Sequence, residues 1–261
     1  MIVDCHTHIN RAYGDVNTSG HLSVSETVDI NIVLGTVEDS GLEGNKRLAD
    51  YVSKYPGRMI GFAFLDPTRD NISVKGVKSI TEKMGLKGVA LYCSGCGFHP
   101  AHSLAMQFYE VAEELGLPVF FHSSAVLKSG AILDYAQPYL LDEVARTFPK
   151  LKIVIGNMGV PFIEQTISML LKHANVYSDL TIKPNNVWQV YNTVVSAYER
   201  GAMDKLLFGS GFPQGVASEC IEVLLGFNKL LADTNLPPVP RGNIQSVIER
   251  DTLEVLGISQ K

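Results

Sequence analysis

The chain has little of what marks several whole classes of protein. Four cysteines, Cys5, Cys93, Cys96 and Cys220, are spread over 261 residues, and only Cys93 and Cys96 stand close together. That is too few for a disulfide scaffold of this length, so a reducing, cytoplasmic setting is expected. No apolar run approaches the roughly 18 residues that cross a bilayer. Residues 1–10 hold neither a basic segment nor a long hydrophobic one, so the expected protein is soluble and unexported, with no membrane partner. Positive charge is scattered: 22 Lys and Arg stand against 27 Asp and Glu, a net charge of −5. The broad basic face that replaces counterions on nucleic acid is therefore missing, and nucleic acid is not an expected partner. No Gly-x-Gly-x-x-Gly turn follows the first predicted strand, which removes the usual dinucleotide cradle.

What is present is a core. Hydrophobic residues make up 46% of the chain and charged residues 19%, too apolar for a disordered polymer. Short β-branched or aromatic runs at 2–5, 31–36, 59–65, 86–92, 118–122, 151–155, 175–179 and 205–208 predict eight strands. Helical patterns lie between them. In 103–115, Leu104, Phe108, Val111 and Leu115 recur at spacings of three and four before Gly116. Further helices are predicted at 139–148, 160–173 and 186–200, and another over 243–256 after a proline-rich loop at 236–240. Eight parallel strands buried on both faces close most economically into a (β/α)8 TIM barrel, a single α/β domain over residues 1–261. An open doubly wound sheet is the competing architecture.

Reactive side chains of such a barrel sit where its strands end. On the first strand His6 and His8 project to one face while Cys5 and Thr7 point the other way, so the two imidazoles suit neighbouring vertices of one metal ion. His122 ends the fifth strand and supplies a third imidazole, although a hydrogen-bonded core histidine is the ordinary reading of such a residue. Three neutral imidazoles leave zinc its double charge and an open position. Asp179, at the end of the seventh strand, is either a base at the same rim or a loop carboxylate bonded to backbone amides. Asp4 shares the face of His6 and His8 but lies deeper, where it is expected to orient an imidazole. Cys93, Cys96, His99 and His102 lack the spacing of a compact zinc site and are expected to be loop residues. His21 and His173 are expected at the surface or in loops, and Trp188, Tyr191 and Val195 in helix core.

Several of these residues fall in a longer series. The order runs from Asp4-Cys5-His6-Thr7-His8 to Ala112-Glu113-Glu114-Leu115-Gly116-Leu117-Pro118-Val119 leading to His122, and on to Leu151-Lys152-Ile153-Val154-Ile155-Gly156, Met158-Gly159 and Leu206-Leu207-Phe208-Gly209-Ser210. It resembles the amidohydrolase-related branch of the amidohydrolase superfamily, which contains aminocarboxymuconate-semialdehyde decarboxylase and related nonoxidative decarboxylases. The resemblance implies a metal-dependent hydrolase or lyase on a (β/α)8 barrel, with His6, His8 and His122 as ligands of a divalent ion, zinc being the expected one.

The departures from that pattern bear on the chemistry. Asn157 stands where the family usually has His after the sixth strand, and Gly211 where it has Asp after the eighth; Ala90 and Tyr92 replace a common Lys and His on the fourth. Base and acid assistance are each worth about 10²- to 10⁴-fold, so the family's ordinary chemistry is slowed unless other groups substitute. Asn157 can donate a hydrogen bond but cannot carry a proton at neutral pH, and Tyr92 can do both weakly; the two are expected to orient substrate. Two readings follow: a metal-dependent hydrolase, or carboxy-lyase, acting on a small carboxylated or cyclic molecule, and a catalytically impaired binding protein that keeps the pocket. Restoring both groups, Asn157→His with Gly211→Asp, is expected to raise metal affinity.

Overall fold

A computed structural model describes residues 1–9, 15–39, 41–122 and 129–259. Its strands are β1 (Val3–Thr7), β2 (Ile30–Leu34), β3 (Met59–Phe64), β4 (Gly88–Leu91), β5 (Val119–Phe121), β6 (Ile153–Ile155), β7 (Val176–Thr181) and β8 (Leu206–Gly209). They form one eight-stranded sheet in sequential order, and each pair from β1–β2 to β7–β8 is parallel. The ring closes between β8 and β1. There the Gly211 amide donates to the His6 carbonyl at 2.8 Å and the His8 amide to the Phe212 carbonyl at 3.0 Å. The eight strands read from the sequence are all present, and the (β/α)8 barrel is the fold.

The helices are α1 (Asp15–Val24), α2 (Gly41–Val52), α3 (Val74–Lys78), α4 (Cys93–Cys96), α5 (Ser103–Glu114), α6 (Asp142–Thr147), α7 (Ile163–Lys172), α8 (Val187–Glu199), α9 (Ala217–Leu225), α10 (Arg241–Ile248) and α11 (Thr252–Leu256). None of them is long and apolar enough to cross a membrane. Ile32, Leu34, Phe62, Phe64, Phe120, Val154 and Leu207 are buried together in one cluster. Burying an aromatic or branched side chain of this kind contributes about 1.5–3 kcal/mol, so the barrel interior is a packed core and leaves its chemistry to the strand ends.

Several helices depart from the sequence pattern for local reasons. Residues 243–256 form α10 and α11, because the Asp251 carboxylate accepts the Glu254 amide and starts a new helix, while the Arg250 guanidinium leaves to bond the Leu206 and Met203 carbonyls. In 139–148 the first turn is a 3₁₀ turn, Pro138–Leu141, and only Asp142–Thr147 is α-helical. The buried stripe of α5 is Ala105, Phe108, Tyr109 and Ala112, rotated from the expected one, with Leu104, Val111 and Leu115 only partly covered.

Two expectations about burial are corrected, those for Trp188 and His21. Trp188 is 72% exposed, because it lies on the opposite side of α8 from the buried Val190 and Val194. His173 follows α7 as its C-cap, as a loop residue, and bonds Asp142 at 2.8 Å. His21 lies in α1 and is 1% exposed; its Nδ1 is 2.8 Å from the Tyr51 hydroxyl, and its Nε2 is buried without a hydrogen-bond partner.

Burial pushes the His21 imidazole down to about 4. The unfolded chain therefore binds a proton that the folded chain refuses, and stability falls as pH drops from the ordinary histidine value toward about 4. The slope is up to roughly 1 kcal/mol per pH unit. Urea unfolding between pH 7 and pH 5 is expected to show a smaller loss for His21→Leu than for the wild type; equal losses would contradict a buried neutral imidazole.

Candidate metal centre

Alternation along β1 sends His6 inward, and His8 follows one strand period later. His122 is the first residue beyond β5, held there by its amide donating to the Leu91 carbonyl of β4 at 2.8 Å. The three side chains meet through one kind of atom. His6 Nε2 is 2.8 Å from His122 Nε2 and 3.2 Å from His8 Nε2, and His8 and His122 Nε2 are 3.0 Å apart. Among the described residues this is the one group of three or more His, Cys, Asp or Glu able to hold a metal.

The partners of the other ring nitrogens decide what those Nε2 atoms are. His8 Nδ1 lies 3.2 Å from the Leu34 carbonyl, which can only accept, so Nδ1 carries the proton and Nε2 a lone pair. His6 Nδ1 faces Asp179 Oδ2 at 3.0 Å, which fixes the same tautomer. Burial, and then the charge His6 would carry, push His8 down to about 3, and burial followed by the other two rings pushes His122 well below the ordinary value. The His8 Nε2 lone pair therefore faces the Nε2 atoms of His6 and His122 at 3.2 and 3.0 Å, a convergence that suits a cation. Tetrahedral zinc with bonds of about 2.0–2.1 Å separates its nitrogens by roughly 3.3 Å, close to the observed triangle. The donor set fits a divalent metal.

The wall of the site is apolar on one side. Tyr92 is buried and its ring stacks on His122, with centroids 4.6 Å apart and planes 16° from parallel. Its hydroxyl donates to the Gly35 carbonyl at 2.8 Å, so the proton is engaged and only the oxygen can accept from a substrate. Burial raises that hydroxyl well above its ordinary value. Asn157 lies in a 3₁₀ turn, Gly156–Gly159, where it and Met158 both have left-handed backbones, at φ 52° and 49°. It lines a small cleft together with Thr181, Lys183 and Gln189.

Of the two carboxylates, Asp4 has other partners than the sequence suggested. Asp4 touches no imidazole; its Oδ1 accepts the Ser210 amide at 2.9 Å and the His6 amide at 3.2 Å, tying β1 to the end of β8. Burial raises it to about 6 against those hydrogen bonds. Asp179, fully buried, is the residue on an imidazole, and its Oδ1 accepts the Asn157 amide at 2.6 Å. Thr181, two residues on and so on the same face, hydrogen-bonds Asp179 Oδ2 and lies 3.1 Å from His6 Nδ1. Sequence reasoning missed it, although the strand period from Asp179 pointed to it. Cys93 and Cys96 bracket one helical turn, His99 accepts the Ala101 amide and His102 caps α5, so the four do not gather.

A family model described as Amidohydrolase matches residues 3–214. No curated protein matches the chain. Among solved structures, a probable 2-pyrone-4,6-dicarboxylic acid hydrolase from Acinetobacter baumannii with citric acid bound is 16% identical, covers 98% of this chain and 99% of its own, and has a TM-score of 0.70. A 5-carboxyvanillate decarboxylase from Sphingomonas paucimobilis is 13% identical, covers 99% of each chain and has a TM-score of 0.68. A dihydroxybenzoic acid decarboxylase from Polaromonas with bound manganese and 2-nitroresorcinol is 14% identical, covers 98% and 97%, and has a TM-score of 0.63. At these identities the likeness is one of fold.

Gly211 bears on the expected double replacement. Its φ is 69°, and a Cβ there would lie 2.7 Å from Thr181 Cγ2. A side chain at 211 therefore meets both backbone strain and a neighbour that fills its space, so Gly211→Asp does not deliver a ligand as the sequence pattern suggested. The expected result is a loss of about 1–3 kcal/mol in denaturant unfolding, matched by Gly211→Ala, with no gain in zinc affinity. Tighter zinc binding by Gly211→Asp at unchanged stability would contradict this placement.

Proposed function

This chain belongs to the amidohydrolase family, and on that footing we propose that it is a metal-dependent hydrolase or carboxy-lyase acting on a small carboxylated or cyclic molecule. The observation that carries the reading is the convergence of His6, His8 and His122 Nε2 within 2.8–3.2 Å, with no carboxylate in the group. Zinc is the proposed ion because neutral imidazoles suit it, and manganese is the one held by the Polaromonas decarboxylase structure. A divalent cation there supplies a Lewis acid for a substrate oxygen.

The remaining work falls to the chain's own groups. Tyr92 and Phe120 pack on the imidazoles and keep water from that side of them. The Asn157 side chain, at the rim after β6, offers an amide donor to a substrate oxygen without moving a proton. Asp179 has both oxygens engaged by protein donors, so it serves the site through His6 and not as a free base. An anionic substrate suits the arrangement, since three neutral ligands leave the ion's double charge uncompensated. Hydrolysis and decarboxylation both remain within this chemistry.

A second reading is favoured by Asn157 and Gly211, which leave the described residues of the site without the proton carriers that the family pattern places there: a binding protein that retains the pocket. One experiment separates the two. Protein purified without added metal is assayed for metal content, titrated with zinc and manganese, and tested for carbon dioxide release from dihydroxybenzoates and for hydrolysis of lactones and amides. The expected result is one ion per chain, an affinity lowered on the order of 100-fold or more by His122→Ala, and a turnover abolished by that change. Metal and aromatic acids bound without turnover would establish the second reading, and failure to bind metal would overturn the first.

A further inference from the structure

The carboxylate of Asp179 serves two elements that the barrel otherwise keeps apart. On one side Oδ2 accepts the Nδ1–H of His6 from β1 at 3.0 Å, with the Thr181 hydroxyl bonded to the same oxygen and 3.1 Å from the same nitrogen. On the other, Oδ1 accepts the amide of Asn157, the first of two successive left-handed residues in the turn after β6. Such a conformation is costly for non-glycine residues and persists only where the surroundings hold it. The hydrogen bond from Asn157 to a buried, charge-bearing acceptor is one such hold, and at 2.6 Å it is short.

Strand β8 makes room for this arrangement. A Cβ at Gly209 would lie 2.9 Å from His6 Cβ and 3.2 Å from Asp179 Oδ2, and one at Gly211 would lie 2.7 Å from Thr181 Cγ2. The carboxylate from β7 and the bare backbone of β8 are thus two sides of one packing solution.

We infer that Asp179 is a positioning residue that couples the His6 imidazole to the Asn157–Met158 turn, with Thr181 as its auxiliary. The inference rests on the reading that the three histidines hold a cation. A cation drawing on His6 Nε2 polarises the Nδ1–H bond and strengthens its hydrogen bond to Asp179. The same carboxylate sets the backbone from which the Asn157 side chain projects, so occupancy of the three nitrogens is felt at Asn157 with no direct contact between the two.

Zinc titration followed by backbone amide NMR tests the coupling. In the wild type, zinc is expected to shift the amide resonances of Asn157 and Met158. In Asp179→Asn the zinc dissociation constant should rise about 10–100-fold, and at saturating zinc those two shifts should shrink or vanish. Thr181→Val, which removes a single hydrogen bond from a side chain of similar shape, should weaken zinc binding roughly 3–10-fold and keeps the question open to measurement if Asp179→Asn fails to fold. A lower melting temperature with wild-type zinc affinity and wild-type shifts in either variant would reduce Asp179 to a structural carboxylate and overturn the inference. The histidine ring nitrogens of the metal-free protein give a separate readout. Nitrogen-15 NMR is expected to place the His6 proton on Nδ1 in the wild type and to divide it between the two nitrogens in Asp179→Asn. If the wild type takes up no zinc, the proposed function fails, whereas the hold on His6 still stands or falls by that tautomer.

Discussion

Three imidazole nitrogens crowded within 2.8–3.2 Å of one another are an unfavourable arrangement in a protein interior, and the rest of this site imposes it. The Leu34 carbonyl and the Asp179 carboxylate accept the Nδ1–H of His8 and His6, which directs their Nε2 atoms to the common point. Tyr92 and Phe120 confine the rings. Burial holds His8 and His122 neutral near neutral pH. On the proposed reading a cation turns this crowding into binding, and the tautomers, not merely the presence of three histidines, decide whether lone pairs meet it.

The barrel supplies the rigidity this requires. Its interior is filled by Phe62, Phe64, Phe120 and Leu207, all almost fully buried, so the strand ends cannot drift inward. Asp4 belongs to the same scaffold: by bonding the Ser210 and His6 amides it fixes the height of the first ligand relative to the last strand. The carboxylate expected from sequence to orient an imidazole is thus a structural tie, while the one bonded to His6 comes from the seventh strand.

The fold was legible because its signal is repetitive: eight apolar runs with helical spacers leave few alternatives. The convergence of the three histidines was legible because strand alternation puts His6 and His8 on one face and His122 at a strand end. What escaped was everything that depends on distance across the ring. His6 and Asp179 are separated by 173 positions, and no local pattern says that Gly209 leaves space between them. Thr181 could have been read from its two-residue offset from Asp179. The left-handed backbone at Asn157 and Met158 could not, since neither residue is a glycine. His21 and Trp188 were misplaced because which face of a helix meets the rest of the barrel is decided by packing across the fold and not by the helix's own sequence.

The seam has a consequence for synthesis. The strand that carries His6 and leads into His8 is the first of the barrel to be made, yet its neighbour on one side, through Gly211 and Phe212, is the last. During translation the opening histidines must wait for more than two hundred residues before their backbone is paired on both edges. The meeting of the three imidazoles is therefore a property of the finished ring, which a nascent chain carrying the same histidines does not yet have.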